Sequence, residues 1–209
     1  MDVIKGHIDI NGLKTGFKKI IINEGGSRSP LVFLHEGLGS IAQWRNFPEM
    51  LCELTGRNGY LYDRPGFGES DADTEQYRPD FMEYHTRKFL PAFLDEMNIK
   101  KPVLTGHSDG GTIALHFAAE FPEIPAGAIT LAAHIFNEKE TIAGIRKIDD
   151  KSDKNMLIEK LKKYHGRKAE MIFRRWRDIW LSDDFRSWNI EYELRNILCP
   201  VLALQGADV

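Results

Sequence analysis

The sequence predicts an α/β fold, in which a mostly parallel, doubly wound sheet carries a helical insertion between two of its strands. The first supporting observation is that short apolar runs alternate with stretches of helical periodicity between residues 30 and 131. The second is a charged, helix-prone stretch at residues 138–194 without a convincing strand, after which strand character resumes at 200–204. Because strands that alternate with helices form βαβ units, we expect most strand pairs to be parallel.

Each element has its own local signal. The turn at Asn11 and Gly12 lies between two β-rich runs and predicts an antiparallel start. Pro91 predicts a kink in the long helix that precedes the next strand. The predicted strands lie at 7–10, 19–22, 30–34, 60–62, 103–105, 126–131 and 200–204. The predicted helices before the insertion lie at 41–54, 80–97 and 110–120.

Composition excludes several classes of function. Hydrophobic residues make up 42% of the chain, charged residues 28%, and the formal net charge is −3, which gives no reason to expect nucleic-acid or membrane partners. The start of the chain does not read as a signal peptide, and the apolar runs are too short to span a membrane, so we expect a cytoplasmic protein. Cys52 and Cys199 form neither a metal-ligand spacing nor a disulfide framework, and we expect no metal and no organic cofactor.

The most informative motif is the pentapeptide Gly-His-Ser-Asp-Gly at residues 106–110. It lies between a predicted strand and an Ala-rich predicted helix, which is the layout of a nucleophile elbow. The sharp turn brings the helix close to the strand, so side chains two places before and after the serine would clash. The helix N-terminus presents free N–H groups towards charge that develops beside Ser108. The motif therefore predicts a nucleophilic serine.

Four landmarks then follow one another along the chain. They are His-Glu-Gly-Leu-Gly-Ser at 35–40, Asp-Arg-Pro-Gly-Phe-Gly-Glu-Ser at 63–70, the pentapeptide at 106–110, and Leu-Cys-Pro-Val-Leu-Ala-Leu-Gln-Gly at 198–206. Through these landmarks the chain resembles the α/β-hydrolase fold family, in its serine hydrolase branch with a helical cap. The resemblance implies a first part of the hydrolase core at 1–135, a helical cap at 136–196 and a core strand at 197–209.

The resemblance implies that Ser108 is the nucleophile. The oxyanion hole would use the backbone N–H of Asp109 and a second N–H from the loop after the strand at 30–34. Matching His35 to the family's histidine assigns this second donor to Gly37, with Leu38 as the alternative. His35 itself is expected to organise its loop by hydrogen bonding.

The acid and the base are less directly indicated. In the family the acid follows the strand after the cap, and Asp208 is the candidate here. The family's histidine follows one more strand, so we expect the chain to be truncated before the final strand and helix. Within the 209 residues, His134 is the candidate substitute base, because it follows a strand whose end lies at the catalytic edge of the sheet.

The helical cap supplies the candidate substrate pocket. Trp176 and Trp180, with Phe173 and Trp188, could line an apolar acyl or aromatic site. The alternative is that these side chains form the hydrophobic stripe through which the cap packs on the core. Three arginines nearby are expected to form a solvated face: Arg174, Arg175 and Arg177.

These observations favour a serine hydrolase that cleaves a small carboxylic ester, thioester or lactone through an acyl-enzyme on Ser108. Two alternatives stay open: a catalytically inactive, truncated hydrolase fold that binds a ligand or partner, and a carbon–carbon bond hydrolase. The expected partner is a small ester-like molecule. Truncation would leave the strand at 201–204 as an apolar sheet edge, through which the chain could self-associate.

Overall fold

The fold is built on one seven-stranded sheet in a computed structural model that describes residues 1–72, 78–149 and 151–206 of the chain. The strands are β1 (Asp2–Ile10), β2 (Leu13–Ile21), β3 (Leu31–Leu34), β4 (Gly59–Tyr62), β5 (Val103–His107), β6 (Gly127–Leu131) and β7 (Val201–Leu204). Their order in the sheet is β1-β2-β4-β3-β5-β6-β7. The pairs β1–β2 and β2–β4 are antiparallel, and the other four pairs are parallel. The predicted mostly parallel α/β sheet is confirmed.

Seven α-helical segments surround this sheet in the described part of the chain. They are α1 (Phe47–Thr55), α2 (Phe81–Tyr84), α3 (Leu90–Glu96), α4 (Asp109–Glu120), α5 (Lys139–Ile148), α6 (Lys151–His165) and α7 (Ala169–Trp180). Short 3-10 turns lie at Ile41–Trp44, Gly166–Lys168 and Leu194–Asn196. Within the same residues, no helix has the length and apolar character needed to cross a membrane.

The helical stretch around Pro91 is irregular. A π-helical turn at His85–Phe89 joins α2 to α3, and Pro91 follows in the first turn of α3. A proline has no N–H to bond to the carbonyl four residues earlier, and that carbonyl belongs here to Arg87, inside the π-helical turn. The departure from α-helical geometry therefore lies where the hydrogen bond is missing, and a bend of the helix axis at Pro91 stays a prediction.

Helices cover both faces of the sheet because the side chains of β3 alternate between two cores. Val32 and Leu34 pack in one cluster with Phe117 of α4. Leu31 and Phe33 pack in a second cluster with Cys52 of α1. A strand that is apolar on both sides requires cover on both sides, which is the physical basis of the doubly wound arrangement.

The residues between β6 and β7 are helical in their central part, and residues 136–196 are called the helical segment below. Trp180 and Ile179 of α7 pack with Phe81 and Met82 of the core. A second cluster joins α6 and α7 through their own apolar side chains: Ile158, Leu161, Ala169 and Phe173. This segment therefore has a small core of its own and also packs against the helix that begins at Phe81.

Strand β7 forms one edge of the sheet, and its apolar side chains are exposed. Leu202 retains 52% of its accessible surface and Leu204 retains 47%. Apolar edge strands present unpaired backbone groups to which another chain can add. Self-association through this edge stays a prediction, as does the cytoplasmic location.

Buried histidines lead to a first testable prediction, which concerns stability and pH. Burial lowers the pKa of His35 and His85 well below the usual value of 6.5, and the charge of Arg64 lowers both further. The unfolded chain takes up protons at these sites near pH 6.5 while the folded chain does not, so unfolding becomes easier as pH falls below that value. Each such histidine contributes a slope of up to about 1.4 kcal/mol per pH unit.

The measurement is urea unfolding at pH 7.5 and pH 5.5, comparing the wild type with His85→Leu. Leucine suits this site because Nδ1 of His85 has no hydrogen-bond partner among the described residues. The variant is expected to lose less stability over this interval than the wild type. This difference isolates His85 from the buried carboxyl of Asp63, whose raised pKa acts in the opposite direction. Identical pH slopes in the two proteins would contradict the prediction.

Candidate active site

The predicted elbow has the backbone geometry that its glycines suggested. Ser108 lies between β5 and α4 with φ +50° and ψ −120°, a conformation that costs a non-glycine residue about 1–3 kcal/mol. A Cβ atom on Gly106 would lie 2.1 Å from the carbonyl oxygen of Gly110, and one on Gly110 would lie 2.0 Å from that of Leu34. Only glycine fits at either position. Because these two residues have no side chain, α4 can start directly behind the serine.

The sheet places the end of β6 next to this serine. Strands β5 and β6 are parallel neighbours, and Ser108 N–H donates to the Leu131 carbonyl at 2.9 Å. The chain leaves β6 at the same edge of the sheet where the elbow turns. His134, three residues beyond Leu131, therefore lies beside Ser108.

Ser108, His134 and Glu138 form a continuous hydrogen-bonded chain. Ser108 Oγ lies 3.3 Å from His134 Nε2, and His134 Nδ1 lies 2.7 Å from Glu138 Oε2. A carboxylate only accepts hydrogen bonds, so Nδ1 carries the proton and Nε2 is free to accept one from the serine hydroxyl. Thr141 Oγ1 also donates to Glu138 Oε2 at 2.9 Å, and Thr112 Oγ1 donates to the His134 carbonyl at 2.6 Å. Both partners of the serine are thus held by further contacts.

Glu138 is the residue that the sequence analysis missed. It lies four residues after His134 and immediately before α5, so the turn into the helix brings both side chains together. The available signal was a His-x-x-x-Glu spacing directly after a strand that ends at the catalytic edge. Asp208, the acid implied by the family resemblance, lies outside the described residues.

The candidate oxyanion donors lie close to one another. Asp109 is the first residue of α4, where backbone N–H groups have no partner within the helix. Gly37 faces the Asp109 side chain so closely that a Cβ on Gly37 would lie 2.8 Å from Asp109 Oδ2. The backbone of Leu38 makes a different contact, because its carbonyl accepts from His165 Nε2 at 2.9 Å. These contacts involve the Asp109 side chain and the Leu38 carbonyl, so the choice between the backbone N–H groups of Gly37 and Leu38 as second donor stays a prediction.

Several polar side chains near the elbow hold loops in place. His35 Nε2 accepts from the Arg64 backbone N–H at 3.1 Å, and His35 Nδ1 donates to the Glu36 carbonyl at 2.8 Å. Asp63 accepts from the backbone N–H groups of Ile41 at 2.7 Å and of Glu69 at 2.9 Å. These bonds fix the loops after β3 and β4 at the edge where the elbow lies.

His107 precedes Ser108 but its side chain is directed elsewhere. Its Nδ1 lies 3.3 Å from Glu36 Oε2, and this hydrogen bond raises the pKa of His107. Its ring packs at 6.5 Å from the ring of Trp44, centroid to centroid. His107 and His134 both lie near Ser108 but have different surroundings. Of the two, His134 has a ring nitrogen within hydrogen-bond distance of Ser108 Oγ.

The helical segment closes over the elbow. Trp176 and Trp180 line a small cavity beside Asp109, and the Trp180 ring lies 5.0 Å from that of His134. Phe173 and Trp188, the other two aromatic candidates, pack in hydrophobic clusters and do not line this cavity. The expectation that Arg175 belongs to a solvated face is wrong, because it also lines the cavity.

The junction between α6 and α7 is bonded to the core loops. His165 Nδ1 accepts from the Gly68 backbone N–H at 3.0 Å, while its Nε2–H donates to the Leu38 carbonyl. Lys168 Nζ donates to the carbonyls of Phe67 and Ser70.

In the described residues no group of three or more histidine, cysteine, aspartate or glutamate side chains is arranged to hold a metal ion.

Comparison with known proteins gives the family of the chain. The family model described as the alpha/beta hydrolase fold matches residues 29–161, which is more than half of the chain. The chain belongs to the α/β-hydrolase fold family. The match includes the loop after β3, the elbow and the residues that carry His134 and Glu138.

The relatives that match in sequence include different kinds of hydrolase within the α/β-hydrolase fold family. A proline iminopeptidase of Lactobacillus helveticus is 30% identical over 125 residues, covering 58% of this chain and 40% of the relative. A 2-hydroxy-6-oxo-6-phenylhexa-2,4-dienoate hydrolase of Burkholderia cepacia is 31% identical over 126 residues, covering 57% of this chain and 43% of the relative. The match to each thus spans less than half of the relative's length.

A solved structure extends the similarity in fold to nearly the whole chain. The enol-lactonase from Burkholderia xenovorans LB400 superposes with a TM-score of 0.74, over 97% of this chain and 81% of the lactonase. Sequence identity in this comparison is 13%, so the likeness concerns the α/β-hydrolase fold alone.

Proposed function

We propose that this protein is a serine hydrolase that cleaves a small carboxylic ester, thioester or lactone through an acyl-enzyme on Ser108. The observation that carries the proposal is the chain of contacts from Ser108 Oγ to His134 Nε2 at 3.3 Å and from His134 Nδ1 to Glu138 at 2.7 Å. A serine hydroxyl is a weak nucleophile unless a base takes its proton, and this arrangement supplies a base with an acidic partner.

In the proposed first step, Ser108 Oγ attacks the substrate carbonyl carbon while His134 Nε2 takes the hydroxyl proton. The negative charge moves to the carbonyl oxygen, where the backbone N–H groups of Asp109 and Gly37 would donate to it. The carbonyl re-forms as the bond to the leaving group breaks, and the imidazolium of His134 returns its proton to the leaving oxygen or sulfur. Glu138 holds the ring in the required tautomer and stabilises its positive charge.

In the second step, water replaces the leaving group. His134 takes a proton from the water as its oxygen attacks the acyl carbon, and the same two N–H groups stabilise the second oxyanion. Collapse of this intermediate releases the carboxylic acid and returns the proton to Ser108 Oγ. The serine, the base and the oxyanion donors are all recovered.

The comparisons bear unequally on the substrate. The likeness to an enol-lactonase concerns the fold alone and does not choose among ester, thioester and lactone. The similarity to a 2-hydroxy-6-oxo-6-phenylhexa-2,4-dienoate hydrolase supports carbon–carbon bond hydrolysis as a second candidate function. The two candidates are distinguished by whether turnover releases an alcohol, thiol or ring-opened hydroxy acid, or instead a fragment cut at a carbon–carbon bond.

The test of the nucleophile is stoichiometric labelling by a fluorophosphonate probe. The probe forms a covalent bond with an activated serine oxygen, and intact-mass spectrometry counts the adducts. We expect one adduct per wild-type chain and none on Ser108→Ala, with peptide mapping that places the label on Ser108. The exposed loop residue Ser27 acts as an internal control, because the same probe contacts its hydroxyl and no hydrogen bond from Ser27 to a histidine is found among the described residues.

Absence of labelling at high probe concentration would contradict the proposal. It would favour instead the alternative of a hydrolase fold that binds a ligand without turnover. Labelling that persists in Ser108→Ala would also contradict it, because the reactive oxygen would then belong to another residue.

A further inference from the structure

Both candidates for the second oxyanion donor lie in one tight turn after β3. The Gly39 N–H donates to the Glu36 carbonyl at 2.9 Å, which closes a four-residue turn with Gly37 and Leu38 at its centre. The hydrogen bond that closes the turn uses neither of the central N–H groups. The orientation of the turn therefore decides where both candidate donors point.

The core of the protein holds the beginning of this turn. The Glu36 carbonyl accepts from Arg64 Nη2 at 2.7 Å and from His35 Nδ1 at 2.8 Å. Both donors are buried and belong to the loops after β4 and β3. The first residue of the turn is thus fixed by the same loops that surround the elbow.

The helical segment holds the other end of the turn through His165. This histidine is the last residue of α6 and is 3% exposed, and its Nε2–H donates to the Leu38 carbonyl at 2.9 Å. The Leu38 side chain packs against the cluster that joins α6 to α7. Leu38 is therefore in contact with the helical segment through its backbone and through its side chain.

The surroundings of His165 fix the proton on the nitrogen that faces the turn. His165 Nδ1 accepts from the Gly68 N–H at 3.0 Å, so Nδ1 carries no proton and Nε2 carries one. Burial lowers the pKa of His165 in spite of its bond to Leu38, and the charge of Lys168 lowers the pKa further, which keeps the ring neutral at pH 7. The ring also packs edge-on against Phe67, with the centroids 5.9 Å apart. These contacts orient the ring to donate to Leu38.

A second residue of the same junction separates two interpretations of these contacts. Lys168 donates to the carbonyls of Phe67 and Ser70, so the helical segment is also bonded to the loop after β4 independently of His165. The bond from His165 to Leu38 differs because it ends on the turn that carries the candidate donors. It can therefore act on the reaction and not only on the attachment of the helical segment.

We propose that His165 is a positioning residue for the oxyanion hole, in which its hydrogen bond to the Leu38 carbonyl holds the turn at 36–39 with its N–H donor directed at the developing oxyanion. The helical segment then contributes to the chemical step as well as covering the elbow. The inference rests on the proposed function, because an oxyanion forms only if Ser108 attacks a carbonyl carbon. It holds whichever of Gly37 and Leu38 is the donor.

Two amide variants separate the two hydrogen bonds of His165. Glutamine places its amide nitrogen where Nε2 lies and can still donate to Leu38, whereas asparagine places its oxygen where Nδ1 lies and can accept only from Gly68. With a 4-nitrophenyl ester, we expect His165→Asn to lower kcat about 10-fold with little change in KM, and His165→Gln to stay within about threefold of the wild type. The loss is smaller than the roughly 10²- to 10³-fold cost of removing an oxyanion donor, because the turn remains closed and bonded to Arg64.

Inhibition by a trifluoromethyl ketone gives a readout that is specific to the oxyanion. The carbonyl carbon of the ketone bonds to Ser108 Oγ, the serine proton passes to His134, and the carbonyl oxygen becomes an oxyanion like that of the reaction. We expect the inhibition constant to rise in His165→Asn by about the factor by which kcat/KM falls, and to stay near the wild-type value in His165→Gln.

The matched control is Lys168→Met, which removes the other bonds of the same junction and leaves the turn untouched. We expect this variant to keep kcat and the inhibition constant within about threefold of the wild type. If Lys168→Met and His165→Asn lose kcat equally, loosening of the helical segment explains both losses and the inference is overturned. Equal losses in the two amide variants would overturn it too, because the bond to Leu38 would not be the cause.

A measurement on the wild type tests the inference without any variant. Long-range ¹H–¹⁵N NMR spectra report which ring nitrogen of a histidine carries the proton, and the contact with the Phe67 ring identifies the signals of His165. We expect a neutral ring with its proton on Nε2 at pH 7. A proton on Nδ1 would overturn the inference, since Nε2 could not then donate to Leu38.

The outcomes distinguish this inference from the proposed function. If fluorophosphonate labels Ser108 and the wild type hydrolyses the ester, but His165→Asn keeps the wild-type kcat and inhibition constant, the inference is wrong and the hydrolase proposal stands. Absence of both labelling and turnover in the wild type contradicts the hydrolase proposal, and the inference fails with it.

Discussion

Replacing His134 with alanine is expected to lower kcat/KM for a small ester by about 10³- to 10⁴-fold, because the serine would lose the base that takes its proton. His134 is the histidine whose ring nitrogen lies 3.3 Å from Ser108 Oγ, and its side chain is only 20% exposed, so truncation also removes packing contacts and the loss of stability has to be measured separately. The measurement is steady-state hydrolysis of a 4-nitrophenyl ester, together with the unfolding midpoint as a check on folding.

Glu138→Gln belongs to the same test. The amide keeps the shape of the side chain and can still bond to Thr141, but it removes the charge that stabilises the imidazolium and it permits the wrong tautomer of His134. We expect a loss of about 10²- to 10⁴-fold in kcat with little change in KM. Because residues that act as a unit are not additive, His134→Ala combined with Glu138→Gln is expected to match His134→Ala alone.

The matched control is His107→Ala, which removes the other histidine that flanks the serine. His107 Nδ1 is directed to Glu36 at 3.3 Å, and its side chain is 44% exposed, so we expect a change of no more than a few-fold. If His134→Ala keeps the wild-type rate while Ser108→Ala is inactive, another group supplies the base and the assignment of His134 is wrong.

Gly110→Ala is expected to have the largest effect on stability, a loss of at least about 3 kcal/mol or failure to fold. A methyl group at this position would lie 2.0 Å from the Leu34 carbonyl oxygen and 2.7 Å from that of His35. Both neighbours are backbone atoms of the central strand β3 and the loop after it, so neither can rotate away. The conflict can be relieved only by moving α4 away from the sheet, which would separate the well-packed side chains between them.

Gly144→Ala provides the control for the chemical change itself. Gly144 lies inside α5, and a Cβ there would have nothing within 4 Å. Alanine is favoured over glycine in a helix interior by about 1 kcal/mol, so this variant is expected to be slightly more stable than the wild type. Urea unfolding of the three proteins measures both effects, and equal midpoints for Gly110→Ala and Gly144→Ala would rule out the proposed steric cause.

Much of the fold could be predicted because its signals are local. The fully apolar run around Val32 indicated a strand covered on both sides, and the Asn11 and Gly12 turn indicated the hairpin of β1 and β2. The π-helical turn at His85–Phe89 escaped prediction because its causes do not show in the spacing of apolar residues. The spacing there is compatible with an ordinary helix, and Pro91 indicates an irregularity without specifying a π-helical turn.

The nucleophile was predictable for the same reason and its partners were not. Ser108 requires only a strand, a tight turn and a helix that are adjacent in sequence, so five residues with two glycines contain the information. His134 lies 26 residues away, and its distance from Ser108 depends on β6 pairing beside β5 in parallel register. From the sequence His134 was a candidate base only, and its spacing to Glu138 indicates the acid only once His134 is known to lie beside Ser108.

By itself, then, the sequence determined the α/β fold and the serine at 106–110, because glycines and apolar periodicity act between near neighbours in the chain. The tertiary structure decided which histidine and carboxylate meet this serine. It also decided that His165, 127 residues after Leu38, donates to the turn beside this serine. Such contacts depend on the pairing order of the strands and on how α7 packs over their ends, and neither is encoded in any short stretch of residues.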